Sequence, residues 1–366
     1  MTFVTKPFLP PFKEIQHLLE RIWESGTLSN SGPLHEELEA KLSDFLGVSH
    51  VSLFCNATIA LMAAQKVLDV QGEVITTPYS FVATSHVIGW MQNRPVFVDV
   101  EPDSLCMDPG KIEAAITENT SAIMPLHCYG NTCDVERIAD VAERYNLKVI
   151  YDACHSFGVE DDGGSALRHG DISVVSFHAT KVFNTFEGGL LVSHSKEVKT
   201  RVDHFKNFGF VDEVTVIEAG INGKMSEFNA AVGILQLQYF EDVLRRRAAA
   251  DELYRELLSP LTGIRCLEPV RQKKRNYSYL PIFVESPYPL SRDALYALLQ
   301  EKGVYGRRYF YPLITDFPMY SDLPSATHLN LPVAAAASQS VICLPLYPDL
   351  PQAEIRRICE IIRSAT

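Results

Sequence analysis

Residues 148–155 read KVIYDACH and residues 174–181 read VVSFHATK. In each stretch, a short run that is rich in apolar and β-branched residues is followed by polar and charged ones. Strands that are apolar throughout are typical of a parallel sheet that is covered on both faces. Because open α/β sheets bind ligands at the carboxyl ends of their strands, Asp152 and Lys181 are the first candidates for a functional site.

The same pattern extends to both sides of these two stretches. Between residues 48 and 192, apolar strand candidates alternate with longer helical patterns. The strand candidates are Val48–Cys55, Val74–Thr76, Val96–Val100, Ala122–Leu126, Lys148–Tyr151, Val174–Phe177 and Leu190–Val192. The helical segments between them include Ala57–Val67, Pro109–Ala115 and Val135–Tyr145. This alternation predicts an α/β fold, with a mostly parallel seven-stranded sheet flanked by helices.

The pattern changes after Met225. Residues Ser226–Tyr254 read as one long helix, and the segment that follows is rich in proline. The strand and helices predicted beyond it are Tyr279–Val284, Arg292–Gln300 and Gln352–Ile362. A chain of 366 residues is also longer than one compact core usually holds. We therefore predict a large domain at residues 1–240 and a small α+β domain at residues 241–366.

Charge and composition exclude several classes of protein. The chain has 33 Lys and Arg against 45 Asp and Glu, a net charge of −12, and its basic runs at 245–247 and 273–275 are short. This argues against a nucleic-acid partner. No apolar run approaches the ~18 residues of a membrane span, and the first residues lack a signal-peptide pattern. The eight cysteines show no zinc spacing. Reduced thiols, no metal site and a cytoplasmic location are expected.

The turn after the first predicted strand is a candidate phosphate site. Residues 56–61 read NATIAL, where small side chains and Thr58 precede a helix. Backbone N–H groups at a helix N-terminus bind anions through hydrogen bonds and the helix dipole. A plain helix cap formed by Asn56 or Thr58 would also explain this sequence.

Asp152 and Lys181 are unusual at the ends of buried strands. A buried carboxylate needs a partner, which could be a protonated pyridine nitrogen, a salt bridge or a helix end. Burial is expected to lower the pKa of Lys181, making its amine able to form a Schiff base, although a surface lysine just beyond the strand is the alternative. Gly188 and Gly189 permit close approach of the backbone to a ligand. Phe81 could cover a flat ring or belong to the core.

In their order and spacing, these motifs resemble the sugar-nucleotide aminotransferases of the DegT/StrS type, from about Gly26 to Pro348. That family has fold type I of the enzymes that use pyridoxal 5′-phosphate (PLP). Its S-G-T-x-A-L, E-D-A-A-[QH], S-F-x-x-x-K and G-x-N-x-[RK]-M motifs correspond to residues 56–61, 151–155, 176–181 and 220–225. Asn56 and Ala57 replace Ser and Gly, so the loop keeps its amides but not the family's side-chain contacts.

The resemblance implies PLP as the cofactor, with Lys181 as its Schiff-base lysine and Asp152 at its ring nitrogen. These two residues and His155, near the phenolic oxygen of the ring, form the implied catalytic set. Phe81 would stack on one face of the ring. The residues implied around the phosphate are Ala57, Thr58, Ser176 and, from the neighbouring subunit of a homodimer, Asn222.

The resemblance also implies a reaction, in which L-glutamate gives its amino group to a nucleotide-linked keto sugar. His178, three residues before Lys181, and the Glu-Gly-Gly run at 187–189 look like the branch that aminates C4. The expected acceptor is dTDP-4-keto-6-deoxyglucose, and the expected product is dTDP-4-amino-4,6-dideoxyglucose. The alternatives are amination at C3 and a non-transaminating regulatory relative. Dehydratase relatives carry His in place of the lysine, so Lys181 argues against that activity.

Overall fold

The computed structural model describes residues 1–365. Its strands are short and mostly buried. They are β1 (Thr2–Phe3), β2 (His50–Phe54), β3 (Glu73–Thr76), β4 (Arg94–Phe97), β5 (Thr120–Met124), β6 (Lys148–Asp152), β7 (Glu160–Asp161), β8 (Gly164–Ser165), β9 (Ile172–Ser176), β10 (Gly189–Ser193), β11 (Ile264–Cys266), β12 (Leu280–Val284), β13 (Val304–Tyr305) and β14 (Val341–Leu344).

The helices lie between and after these strands. They are α1 (Phe12–Ser25), α2 (Pro33–Leu46), α3 (Ala57–Val67), α4 (Ala83–Trp90), α5 (Pro109–Ile112), α6 (Val135–Tyr145), α7 (Lys196–Phe205), α8 (Glu227–Leu258), α9 (Arg292–Glu301), α10 (Pro332–Ser340) and α11 (Gln352–Arg363). Although α8 has 32 residues, no helix of residues 1–365 combines the length and the apolar character that a membrane crossing needs.

Seven strands form the main sheet, in the order β2-β10-β9-β6-β5-β3-β4. All are parallel except β10, which runs antiparallel to both of its neighbours. A parallel return would need a long crossover, usually a helix. The short loop from β9 to β10 carries Lys181 and has no helix, so β10 returns antiparallel. The seven strands match the seven predicted ones to within a few residues, and the predicted fold class is confirmed.

Helices cover both faces of this sheet, which explains its continuous apolar strands. On one face, α3 and the ends of α4 and α7 pack on residues such as Val174 and Leu191. On the other face, α1, α2 and the first half of α8 pack on residues such as Val175 and Leu190. Alternate residues of one strand therefore belong to two different apolar clusters, as the pleat of a strand requires.

Helix α8 connects the main sheet with the C-terminal part of the chain. Its residues up to Leu244 pack in the cluster beneath the main sheet, whereas those from Ala250 onward pack with the antiparallel sheet β11-β12-β14 and with α9 and α11. The boundary predicted at residue 240 lies inside this helix, and the two-domain division stays a prediction. Strand β1 pairs with β13, so the first residues also contact the C-terminal part.

Candidate active site

A cavity of about 720 Å³ opens at the carboxyl ends of the parallel strands. Its wall combines residues that follow β2, β3, β6 and β9 with aromatic residues of the C-terminal part. Seven of the eight predicted site residues line it, namely Ala57, Thr58, Phe81, Asp152, His155, Ser176 and Lys181. The eighth, Asn222, is exposed and lies outside this cavity. The strand ends thus bring together residues that are up to 124 positions apart in the chain.

The N-terminus of α3 faces this cavity. Asn56 caps the helix, because its Oδ1 accepts a hydrogen bond of 2.9 Å from the amide of Ile59. The preceding amides of Ala57 and Thr58 belong to the first turn, which has no intrahelical acceptors. A Cβ atom on Gly189 would lie 2.7 Å from the carbonyl carbon of Asn56, so only glycine lets β10 pass this close. Helix α3 is therefore capped by Asn56 and still has free amides in its first turn, and such amides suit a phosphate.

Asp152 is a buried carboxylate held by neutral donors. Its Oδ2 accepts a hydrogen bond of 2.6 Å from the hydroxyl of Thr84, and its Oδ1 accepts one of 3.1 Å from the amide of Cys154. Within residues 1–365, no Lys, Arg or His nitrogen forms an ion pair with it. A buried charge without a cation is costly. The protonated nitrogen of a pyridine ring would supply the missing cation.

Lys181 reaches the same cavity from the loop after β9. Its Nζ donates a hydrogen bond of 3.2 Å to the hydroxyl of Tyr279. The prediction of a lowered pKa is wrong. Burial does lower the pKa of Lys181, but the Tyr279 hydroxyl, the Cys154 thiol and the Asp152 carboxylate raise it, and the net shift is upward. The basicity of this amine is therefore set by its neighbours and not by desolvation alone.

His155 is buried and uncharged. Its Nδ1 accepts a hydrogen bond of 3.1 Å from the amide of Tyr129, so the proton of the neutral ring is on Nε2. Burial, followed by the positive charge of Lys181, holds the pKa of His155 well below its ordinary value. The residue is therefore a fixed Nε2–H donor near neutral pH, which suits an anionic oxygen of a ligand.

The sequence reasoning did not find the part of the cavity wall that the C-terminal region supplies. Tyr279 precedes β12, whereas Arg307, Tyr309 and Phe310 follow β13. None of them lies at the end of a main-sheet strand, where the residue patterns had indicated a ligand site. The clusters of aromatic and basic residues at 275–279 and 307–311 are the only local signal that could have indicated them.

These groups match the functional parts of PLP one by one. The helix N-terminus suits its phosphate, the buried carboxylate its ring nitrogen, the amine its aldehyde and the imidazole its phenolic oxygen. Phe81, which is 59% exposed at the cavity, offers an aromatic face to its ring. Together with the fold, this set defines a PLP-dependent transaminase of fold type I.

The chain belongs to the DegT/DnrJ/EryC1/StrS aminotransferase family, whose model matches residues 12–363. It is 53% identical to the dTDP-4-amino-4,6-dideoxy-D-glucose transaminase of Shigella dysenteriae over 361 residues, which cover 99% of this chain and 98% of the relative. The enzyme of the same name from Escherichia coli is 48% identical, with 98% and 97% covered. The crystal structure of DesI in the presence of its TDP-sugar product superposes with a TM-score of 0.95 at 33% identity, covering 99% of this chain and 92% of DesI.

Proposed function

We propose that this transaminase moves the amino group of L-glutamate to C4 of dTDP-4-keto-6-deoxyglucose, giving dTDP-4-amino-4,6-dideoxyglucose. The observation that carries this proposal is the identity of 53% and 48%, over nearly the full length of both chains, with two transaminases named for that product. The TDP-sugar product in the DesI structure supports the same nucleotide. The reaction is proposed to occur in the cytoplasm, in keeping with eight free cysteines.

We propose the following roles for the residues around the ring. PLP supplies an aldehyde that condenses with amines and a ring that withdraws electrons from the donor's α-carbon. Lys181 would hold the cofactor through Nζ, and its free amine would move the proton that leaves the donor's α-carbon. Asp152 would keep the ring nitrogen protonated, and His155 would donate from Nε2 to the phenolic oxygen. Phe81 would offer its aromatic face to the ring.

The proposed phosphate site combines backbone and side-chain donors. The amides of Ala57 and Thr58 face the cavity at the start of α3. The Oγ of Ser176 accepts a hydrogen bond of 3.3 Å from the amide of His178, which leaves its own proton free for an anion. Asn222 would complete the site from the neighbouring subunit of a homodimer.

The substrate prediction is tested directly by product structure. Incubation of the enzyme with PLP, L-glutamate and dTDP-4-keto-6-deoxyglucose should give one new amino sugar, with NMR placing the nitrogen on C4.

His178 and Glu187 both line the cavity, and the Nε2 atom of His178 lies 3.7 Å from the Oε1 atom of Glu187. These two residues are therefore positioned to orient the sugar.

The matched controls for this reaction are the corresponding UDP- and GDP-linked 4-keto sugars and a dTDP-linked 3-keto sugar. Nitrogen on C3, or turnover that is confined to UDP- or GDP-sugars, would refute the proposed substrate. Neither result would affect the assignment to the family.

A homodimer with shared sites is the next prediction. Asn222 is exposed and follows a loop that exposes apolar side chains, among them Val214 and Ile217. Exposed apolar clusters are typical of subunit contacts. We expect sedimentation of the active enzyme as a dimer and, for Asn222→Ala, a roughly 10-fold loss of PLP affinity, because a hydrogen bond to a charged phosphate is lost.

Heterodimers test whether Asn222 acts across the interface. A dimer of one Lys181→Ala subunit and one Asn222→Ala subunit would then contain one fully native site, and activity at limiting PLP should return to about half of the wild-type value. If Asn222 acted within its own subunit, both sites would be defective, and activity at limiting PLP would not exceed half that of the Asn222→Ala homodimer. An active monomer in sedimentation would also contradict the prediction.

A further inference from the structure

Arg307 is an unpaired cation at the edge of the cavity. Its backbone is anchored to β14 by two hydrogen bonds. The amide of Arg307 donates to the carbonyl of Cys343 at 3.0 Å, and the carbonyl of Arg307 accepts from the amide of Cys343 at 2.7 Å. Arg307 is an exposed residue and is one of the residues that line the cavity. No carboxylate, hydrogen-bond acceptor or aromatic ring of residues 1–365 contacts its guanidinium group. A fixed backbone therefore presents a free guanidinium group at the cavity.

The neighbouring Arg308 provides an internal comparison. Its Nη1 lies 2.8 Å from Oδ1 of Asp293, and its guanidinium carbon lies 4.8 Å from the ring centroids of Tyr296 and Tyr311. This arginine is held by protein groups and does not line the cavity. Two consecutive arginines thus have opposite environments, and only Arg307 is left available for a ligand.

The other charged groups of the cavity already have partners or proposed roles. Lys181 and Asp152 are assigned to the cofactor, while His178 lies beside Glu187. Arg307 is therefore the one cation, among the residues that line this cavity, without a partner or a role. Arg307 and Lys181 line the same cavity. Burial and Tyr279 raise the pKa of Tyr309, and the positive charges of Arg307 and Lys181 both oppose this rise.

We infer that Arg307 binds the diphosphate of the nucleotide-linked sugar. The inference rests on the proposed function and names the group that anchors its substrate. A diphosphate diester carries two negative charges, and the planar guanidinium fork of arginine matches its oxygens in a bidentate manner. The helix N-terminus of α3 is assigned to the cofactor phosphate, so it does not serve this second anion. Arg307 holds the nucleotide end of the substrate while the sugar reaches toward Lys181.

Binding to the holoenzyme, measured by calorimetry with dTDP and with thymidine, tests this inference without turnover. The wild type should bind dTDP more tightly than thymidine. Arg307→Ala should weaken dTDP binding by about 10- to 100-fold and leave thymidine binding unchanged, because a hydrogen bond between charged groups is lost. Arg307→Lys should give an intermediate loss, since charge remains without the fork. Arg308→Ala is the matched control and should bind dTDP like the wild type.

Separate kinetics of the two half-reactions show which substrate the Arg307→Ala substitution affects. Arg307→Ala should raise the KM for the keto-sugar nucleotide and leave the glutamate half-reaction unchanged. A variant that binds dTDP like the wild type, or whose defect is confined to glutamate, would overturn the inference and assign Arg307 to the amino donor or to no ligand. Failure of the proposed function is separate, because it would show in the product formed by the wild type.

Discussion

Lys181→Ala is expected to abolish transamination, with a loss of at least about 10³-fold in turnover. Two functions of one amine disappear together, namely covalent attachment of the cofactor and proton transfer at the donor's α-carbon. The Nζ atom has no substitute nearby, because its hydrogen-bond partner is the hydroxyl of Tyr279. The wild-type holoenzyme should be yellow, and borohydride should remove this absorption band while mass spectrometry finds the cofactor fixed to Lys181.

The variant itself should still bind PLP or its pyridoxamine form, since the proposed phosphate and ring contacts remain. Lys196→Ala is the matched control, because Lys196 is an exposed residue at the start of α7 and lies outside the cavity. This control should retain wild-type turnover and the borohydride-sensitive band. Substantial transamination by Lys181→Ala, or cofactor fixed to a different lysine, would refute the proposed role.

The main sheet could be predicted because its signal is local. All five residues of β9 and of β10 are buried, and such strands appear in the sequence as short runs in which apolar residues predominate. Helix α2 was not assigned, although Leu34, Leu38 and Leu42 recur at helical spacing and are buried. Helix α4 has a weaker signal, because Thr84 and Ser85 are buried polar residues on it. Their burial depends on tertiary contacts such as the hydrogen bond from Thr84 to Asp152.

The same distinction holds for the cavity. Asp152, Ser176 and Lys181 could be predicted because each ends or follows a recognisable strand, and the topology of a parallel sheet brings such ends together. Tyr279 and Arg307 could not be predicted in this way, since their positions depend on how the C-terminal sheet packs against the main one. The pKa of Lys181 was mispredicted for the same reason, because Tyr279 is one of the groups that raise it.

Asp152→Asn is expected to reduce turnover by about 10²-fold or more, while the fold and the bound cofactor are retained. The substitution preserves the size and the hydrogen bonds of the side chain. The asparagine oxygen can accept a hydrogen bond from the amide of Cys154, and its NH2 group can donate one to the hydroxyl of Thr84. The Thr84 hydroxyl can then donate its own hydrogen bond to the hydroxyl of Ser80, which lies 2.7 Å away. Only the negative charge is lost, so the ring nitrogen is no longer held protonated and the ring withdraws electrons less strongly.

A cofactor analogue separates this electrostatic role from a structural one. With 1-deaza-PLP, in which C–H replaces the ring nitrogen, wild type and Asp152→Asn should have similar, low activity, because the carboxylate then has no proton to hold. Asp99 is the matched control, since it is also buried but accepts hydrogen bonds from the amides of Val333 and Ala334 at the start of α10. Asp99→Asn should lower the unfolding temperature and leave turnover with PLP close to that of the wild type. Near-normal turnover of Asp152→Asn with PLP would reduce Asp152 to a structural residue that positions Thr84 and the loop at Cys154.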